Sequence, residues 1–221
     1  MNIKINIQKI SRNLPPGCEL VAVTKTKSVA LIQEAYDAGH RDFGENKVQE
    51  LVPKSEALPK DIRWHMIGHL QSNKVKYIVP FVHLIHSVDS ERLLAEVDKQ
   101  AAKAGRTVSC LLQVHIAREE TKFGFSIDEL KPFLRSERIA TFNNIRIAGL
   151  MGMATLTENE TQVSAEFSTL HQAFEELRSE SLSANIAMEV LSMGMSGDYS
   201  LAVAAGSTMI RVGSAIFGDR H

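Results

Sequence analysis

Short apolar runs alternate along this chain with longer segments whose apolar residues recur every three or four positions. The first run, Glu19–Val23, predicts a strand, and Val29–Ala38, closed by Gly39, the helix that follows it. Arg41–Gly44 is a short second strand, and Lys47–Ala57 its helix, with Pro53 predicting an interruption. Arg63–Ile67 is a third strand, followed by a helix near Ser72–Val79, and Leu84–Ser87 a fourth. Ser90 caps a helix whose Leu93, Val97, Ala101 and Ala104 keep helical period. Val108–Val114 is the fifth strand, and Ser126 with Glu129 forms a capping-box pattern at the next helix start. After a sixth strand, Ile145–Leu150, the residues Val163, Phe167, Leu170, Phe174 and Leu177 draw a helical stripe. Met188–Leu191, a short helix Asp198–Ala205 and the strand Met209–Val212 complete the series.

Eight strand–helix units in 221 residues average about 28 residues each, the scale of a βαβ repeat. The strands are apolar on both faces, as buried parallel strands are. The count favours closure, so the expected fold is α/β: a (β/α)8 TIM barrel forming a single domain over 1–221. A doubly wound open sheet is the alternative that the same alternation permits.

Composition narrows the function more than the fold. Residues that are 44% hydrophobic and 23% charged can build one large core. With 25 basic against 26 acidic residues, the net charge of −1 supports neither nucleic-acid nor membrane-surface binding. Cys18 and Cys110 stand in no metal-like spacing, and Cys110 reads as a buried small hydrophobe, which suits a reducing, cytoplasmic setting. The segment Met1–Ser11 lacks the apolar stretch of a secretory signal, and no apolar run is long enough to span a membrane.

In a barrel, functional groups collect at the C-terminal ends of the strands. That rule selects Thr24-Lys25-Thr26-Lys27 after the first strand, Glu45-Asn46 after the second and Gly68-His69 after the third. It also selects Met151-Gly152-Met153 after the sixth, and Ser192 to Gly197 after the seventh. A lysine at the rim of such a mouth is partly desolvated, which disfavours its ammonium form and lets a neutral amine attack an aldehyde. A solvated surface lysine is the ordinary fate it competes with. The second feature is the Gly/Ser/Thr supply around strands seven and eight: Ser196, Ser207, Thr208, Gly213 and Ser214. Barrels bind phosphate there, although each such pair alone is an ordinary turn. An amine plus a phosphate cradle calls for a phosphorylated aldehyde or ketone, which both pyridoxal phosphate and sugar phosphates satisfy. Arg211, inside strand eight, can pair a phosphate, face a pyridine nitrogen, or form a structural salt bridge.

At these residues the chain closely resembles the pyridoxal phosphate homeostasis proteins, relatives of the barrel domain of alanine racemase. The resemblance runs from about Leu20 to Phe217. It is carried by the blocks 22–27, 42–46, 64–74, 149–154, 191–199 and 206–218, in that order. The family implies a Schiff base between pyridoxal 5′-phosphate and Lys25, phosphate binding by Ser196, Ser207, Thr208, Gly213 and Ser214, and Arg211 facing the pyridine nitrogen. Asn46, His69 and Met151 line the cavity by the same matching. Two departures stand out: the stretch before Leu20 is short, which predicts an abbreviated first helix, and Phe123 takes a position where a small residue is usual. Lys122 beside it reads as a solvated loop lysine rather than a second cofactor contact.

The family implies handling of the cofactor rather than catalysis, with no catalytic residue assigned. A racemase needs an acid/base group on each face of the substrate carbon. In alanine racemases the group opposite the lysine is a tyrosine from a further C-terminal domain, and only the nine residues 213–221 follow strand eight here. Tyr36 and Tyr77 fall within helices, leaving Tyr199 near the mouth. The expectation is a cofactor reservoir or donor, monomeric, with apo-enzymes as partners, and Lys27 as a conceivable acceptor of the cofactor. A racemase is the alternative, and a Schiff-base aldolase on a sugar phosphate a third. His65 and His69 share no helical face and have no carboxylate at ligand spacing, so no metal site is expected. His83 and His86 read as packing residues flanking strand four, and Met151, Met153, Met193 and Met195 as a soft wall or core filling.

Overall fold

The computed structural model describes residues 2–118 and 123–218. Eight parallel strands close into a barrel: β1 (Glu19–Val23), β2 (Asp42–Glu45), β3 (Arg63–Met66), β4 (Leu84–Val88), β5 (Val108–His115), β6 (Ile145–Met153), β7 (Ile186–Ser192) and β8 (Met209–Val212). Strand β8 returns to β1 with Val21 beside Arg211, so no sheet edge is left open. The helices α1 (Ile3–Arg12), α2 (Val29–Asp37), α3 (Val48–Ala57), α4 (Val75–Ile78), α5 (Glu91–Lys103), α6 (Ile127–Arg135), α7 (Glu160–Arg178), α8 (Tyr199–Ala204) and α9 (Ser214–Phe217) cover it. The expected (β/α)8 barrel is therefore the fold.

The differences from the sequence reading are local. Pro53 does not interrupt α3. Its missing N–H forfeits one bond, but Val48 and Leu51 are buried and hold the helix to the barrel. The helix near Ser72 begins as a 3-10 turn, Ser72–Lys74. Strand β6 runs on to Met153, so Met151 and Gly152 are strand rather than loop. His86 lies inside β4 rather than flanking it. The segment before Leu20 forms a ten-residue helix with Ile3, Ile7 and Ile10 buried, and Asn6 Nδ2 donates to the Ile216 carbonyl, 2.9 Å away. The capping box of Ser126 and Glu129 is present at α6, and Cys110 is fully buried.

Strand alternation sorts the core into two. Outward residues such as Ala22, Phe43, Trp64, Ile85 and Ile210 pack beneath the helices. Inside the barrel, Val21, Leu84, Leu111, Ala148, Met151 and Met209 form a compact apolar filling. At the N-terminal ends of β2 and β3, Asp42 is gripped through both oxygens by Arg63 and is also approached by His65 Nε2 at 3.2 Å. Burial alone would raise the Asp42 carboxyl, but hydrogen bonds from His65 and Arg63 outweigh it and hold the group well below the usual carboxylate range. The folded form then binds fewer protons than the unfolded form as the pH falls. Its stabilisation is complete above about pH 4, the unfolded carboxylate value, and fades below that. Asp42→Asn is expected to cost on the order of 2 kcal/mol at neutral pH by losing charge-assisted bonds. It is also expected to flatten the acid limb of a plot of melting temperature against pH, and a parallel displacement of the whole curve would contradict this.

Candidate functional site

Alternation along β1 points Val21 and Val23 into the barrel and carries Lys25 to its mouth, where Lys25 is half-buried. The turn bearing it is held from behind. Thr24 N–H donates to the Gly44 carbonyl at 2.9 Å, and Lys27 N–H to the Thr24 carbonyl at 3.0 Å. Thr26 sits at φ 65°, a left-handed conformation that a β-branched residue adopts only when its surroundings impose it. Those surroundings are Glu50, whose Oε2 accepts from the Thr26 N–H at 2.8 Å, and the buried Lys54. Lys54 Nζ donates to the Thr24 carbonyl at 2.9 Å, to Glu45 Oε1 at 2.6 Å and to Glu50 Oε2 at 3.0 Å. Glu45 is fully buried, and burial raises its carboxyl even though Lys54 and the Thr24 hydroxyl bond to it. Glu50→Ala is expected to destabilise by about 1 kcal/mol, because Thr26 then keeps its backbone strain without its partner. Chemical denaturation with the Thr26→Gly variant alongside, in which that strain is absent, checks the assignment.

A cavity of about 560 Å³ opens at this mouth. Of the residues singled out from the sequence, Lys25, Asn46, Ser196, Arg211, Gly213 and Ser214 line it together. Val23, Ile67, Met153 and Met195 add apolar wall. Ser196 Oγ accepts from the Gly213 N–H at 3.1 Å, which joins the loops after β7 and β8. Arg211 is buried, and its Nη1 donates to Ser192 Oγ at 2.5 Å and its Nη2 to the Gly152 carbonyl at 3.2 Å. Among the described residues no carboxylate lies within ion-pair distance of it. Burial lowers its pKa to about 10, with Asp198 acting the other way, so it stays protonated at neutral pH. A buried cation without a paired anion is costly unless something else compensates for it.

Four expected residues fall outside this cavity. Met151 is fully buried in the apolar filling of the barrel, as its inward phase on β6 dictates. Met193 likewise joins the core, while Met153 and Met195 reach the mouth. His69 lies in a separate surface cleft with Asp89 and Ser90. Its side chain is 51% exposed, and its ring lies 4.9 Å from that of Phe123. Just before His69, Gly68 packs against the loop after β2: a Cβ there would come 2.4 Å from the Asn46 carbonyl oxygen. Ser207 and Thr208 precede β8 and belong to the opposite end of that strand. The Thr208 carbonyl accepts from Glu19 N–H at the start of β1, whereas Lys25 follows that strand's end. The Ser207 hydroxyl is engaged by Leu191, Met193 and Met209 backbone, and Thr208 Oγ1 accepts from Leu191 N–H at 2.8 Å. Both serve the β7–β8 seam. Lys27, unplaced by sequence, directs its Nζ to the Phe217 and Gly218 carbonyls at 3.4 and 3.1 Å. Lys122 lies outside the described residues.

The closed barrel, with a lysine after its first strand and hydroxyls after its seventh and eighth, falls by its family match in the class of the alanine racemase barrels. The sequence profile described as alanine racemase, N-terminal domain, matches residues 1–221. The chain belongs to the pyridoxal phosphate homeostasis protein family. The protein of that name from Synechocystis is 42% identical over 214 residues, 96% of each chain, and the one from Vibrio alginolyticus is 37% identical, covering 99% of this chain and 93% of its own. PipY of Synechococcus elongatus, solved without PLP, superposes with a TM-score of 0.91 at 38% identity over 98% of this chain and all of its own. With PLP bound, PipY gives 0.87 at 37% identity over the same shares of the two chains. An alanine racemase from E. faecalis shares the fold, with a TM-score of 0.73 at 17% identity over 99% of this chain and 58% of its own.

Proposed function

We propose that this protein carries pyridoxal 5′-phosphate as a Schiff base on Lys25 and serves as a reservoir or donor of that cofactor, without efficient turnover of its own. The observation that carries the reading is one cavity lined by Lys25, Arg211, Ser196, Gly213 and Ser214. The residues suit the group. Its aldehyde needs an amine, which Lys25 supplies; its anionic tail needs donors, which the Ser196 and Ser214 hydroxyls beside Gly213 offer; its ring needs apolar walls, which Val23, Ile67, Met153 and Met195 provide. When bound, the cofactor supplies an electron sink for carbanion chemistry. Arg211, buried and protonated at neutral pH, can only donate, so it would leave a ring nitrogen that faces it unprotonated and would weaken that sink. Asn46 adds an amide at the edge of the cavity.

The rim is soft and open, with Met153 and Met195 exposed, so free amines can approach and carry the cofactor away. The same reading takes apo-enzymes that use the cofactor as partners, a cytoplasmic setting and a monomeric protein. Lys27 lines the same cavity, its ammonium held by two carbonyls. Lys27→Ala is expected to slow delivery of cofactor to an apo-enzyme several-fold, because the turn that carries Lys25 loses its tie to Phe217 and Gly218; an unchanged rate would remove Lys27 from the account.

The test is a visible spectrum of the purified protein, before and after hydroxylamine, with borohydride reduction and peptide mass spectrometry. The expected result is a yellow protein, bleached by hydroxylamine, whose reduced adduct maps to the peptide containing Lys25. Lys25→Ala should hold no covalent cofactor. An adduct on another residue would overturn the reading, and racemase turnover abolished by Lys25→Ala would overturn the non-catalytic part of it.

A further inference from the structure

A string of polar side chains crosses the barrel interior below the cavity, and the reading above does not use it. His65, His86 and Ser192 are fully buried, on β3, β4 and β7. Their contacts form one line. Arg211 Nη1 lies 2.5 Å from Ser192 Oγ, which is 3.1 Å from His86 Nδ1. His86 Nε2 lies 2.9 Å from His65 Nδ1, and His65 Nε2 lies 3.2 Å from Asp42 Oδ1. Asp42 is in turn held by Arg63.

The protons along this line follow from what each group can do. Asp42 is a carboxylate that only accepts, so His65 carries its proton on Nε2 and, as a neutral ring, accepts at Nδ1. His86 then donates from Nε2 to His65 and, neutral in turn, accepts at Nδ1. The Ser192 hydroxyl supplies that proton, and its oxygen accepts from Arg211, a guanidinium that only donates. Every link pairs one donor with one acceptor. The line therefore runs one way, from a buried cation with no carboxylate within ion-pair distance among the described residues to a carboxylate at the far end of the barrel. Burial, and then the neighbouring His65, Arg211 and His83, hold His86 well below the ordinary histidine range, in keeping with a neutral ring.

We propose that Asp42, His65, His86 and Ser192 are positioning residues for Arg211: their one-way hydrogen-bond chain fixes the guanidinium in the orientation that it presents to the ring nitrogen of bound pyridoxal 5′-phosphate. The ligand in this statement rests on the function proposed above, while the chain itself belongs to the protein without cofactor. Strands β2, β3, β4, β7 and β8 each contribute one member, so the closed barrel supports the arginine from the side away from the mouth. Arg211 Nη2 is fixed separately by the Gly152 carbonyl, which leaves Nη1 as the group that the chain steers.

Ser192→Ala cuts the chain beside the arginine and removes one oxygen, and His86→Leu cuts it at the next link. Each variant, and Ser192→Thr as the conservative rescue, is titrated with pyridoxal 5′-phosphate while the visible absorbance is followed; circular dichroism reports folding. Both cuts are expected to weaken retention of the cofactor roughly tenfold, the scale of one lost hydrogen bond to a charged group. They should also displace the bound cofactor's absorbance maximum, and Ser192→Thr should restore both. A purely structural role would lower stability and leave the maximum where it was. Folded Ser192→Ala with wild-type affinity and an unmoved band overturns the proposal; should His86→Leu fail to fold, Ser192→Ala still decides. If the wild-type protein takes up no pyridoxal 5′-phosphate, the reading of the site has failed, and imidazole nitrogen-15 NMR of the cofactor-free protein judges the chain. Two neutral Nε2–H rings support it, and an Nδ1–H ring or an imidazolium at His65 or His86 overturns it.

Discussion

Gly149→Ala is expected to leave little folded protein. Gly149 lies in β6 opposite Val190 of β7, at φ 152°, and a Cβ built there would come 1.8 Å from the Val190 carbonyl oxygen. The obstacle is backbone, and β6 is hydrogen-bonded on both sides, so neither neighbour can retreat without opening the barrel. The register slips beside this residue toward β5 and toward β7, which is how the barrel accommodates its shear there. We expect a loss of more than about 4 kcal/mol, at the far end of what single substitutions do. The control is Gly105→Ala. Its φ is 61° but nothing lies within 4 Å of the added carbon, so its cost should be only the conformational one, about 1 kcal/mol. Denaturant midpoints measure both, and equal midpoints for the two variants would show that the Val190 contact does not matter.

Lys54→Met should be nearly as severe, for an electrostatic reason. Lys54 is the cation that answers the fully buried Glu45, whose second oxygen, Oε2, has no hydrogen-bond partner among the described residues. Removing one member of a buried pair typically costs about 3 to 5 kcal/mol, because the remaining charge is stranded. Lys54 also donates to the Thr24 carbonyl, one residue before Lys25. The turn that presents the amine therefore loosens as the core loses its cation, and uptake of pyridoxal 5′-phosphate should fall along with the melting temperature. Adding Glu45→Gln should recover part of the stability, since a neutral amide needs no counter-ion. A double variant no more stable than Lys54→Met would show that the stranded charge is not the cause.

The parts of this molecule that could be read from its sequence share a physical basis. Buried parallel strands are apolar on both faces, so runs such as Val108–Val114 announce themselves. The two-residue alternation that buries Val21 and Val23 inside the barrel also delivers Lys25 to the rim. What could not be read depends on partners far away in the chain. His65 and His86 are single polar residues in apolar strands, and only closure of the barrel brings His86 to Ser192, 106 positions later. One clue was present: His65 shares the inward phase of Ile67, where an unpaired ring would be costly. Composition misled at Ser207 and Thr208. Gly-Ser-Thr resembles a phosphate cradle in any location, and only its position before β8 rather than after it shows that it ties strands together.

The contact of Lys27 with the Phe217 and Gly218 carbonyls ties the β1 turn to the segment after β8 at one part of the mouth. Two long, exposed thioethers, Met153 and Met195, line the same mouth and can change rotamer at little cost. Under the function proposed above, an arriving amine enters by those side chains moving aside while the turn that carries Lys25 keeps its place.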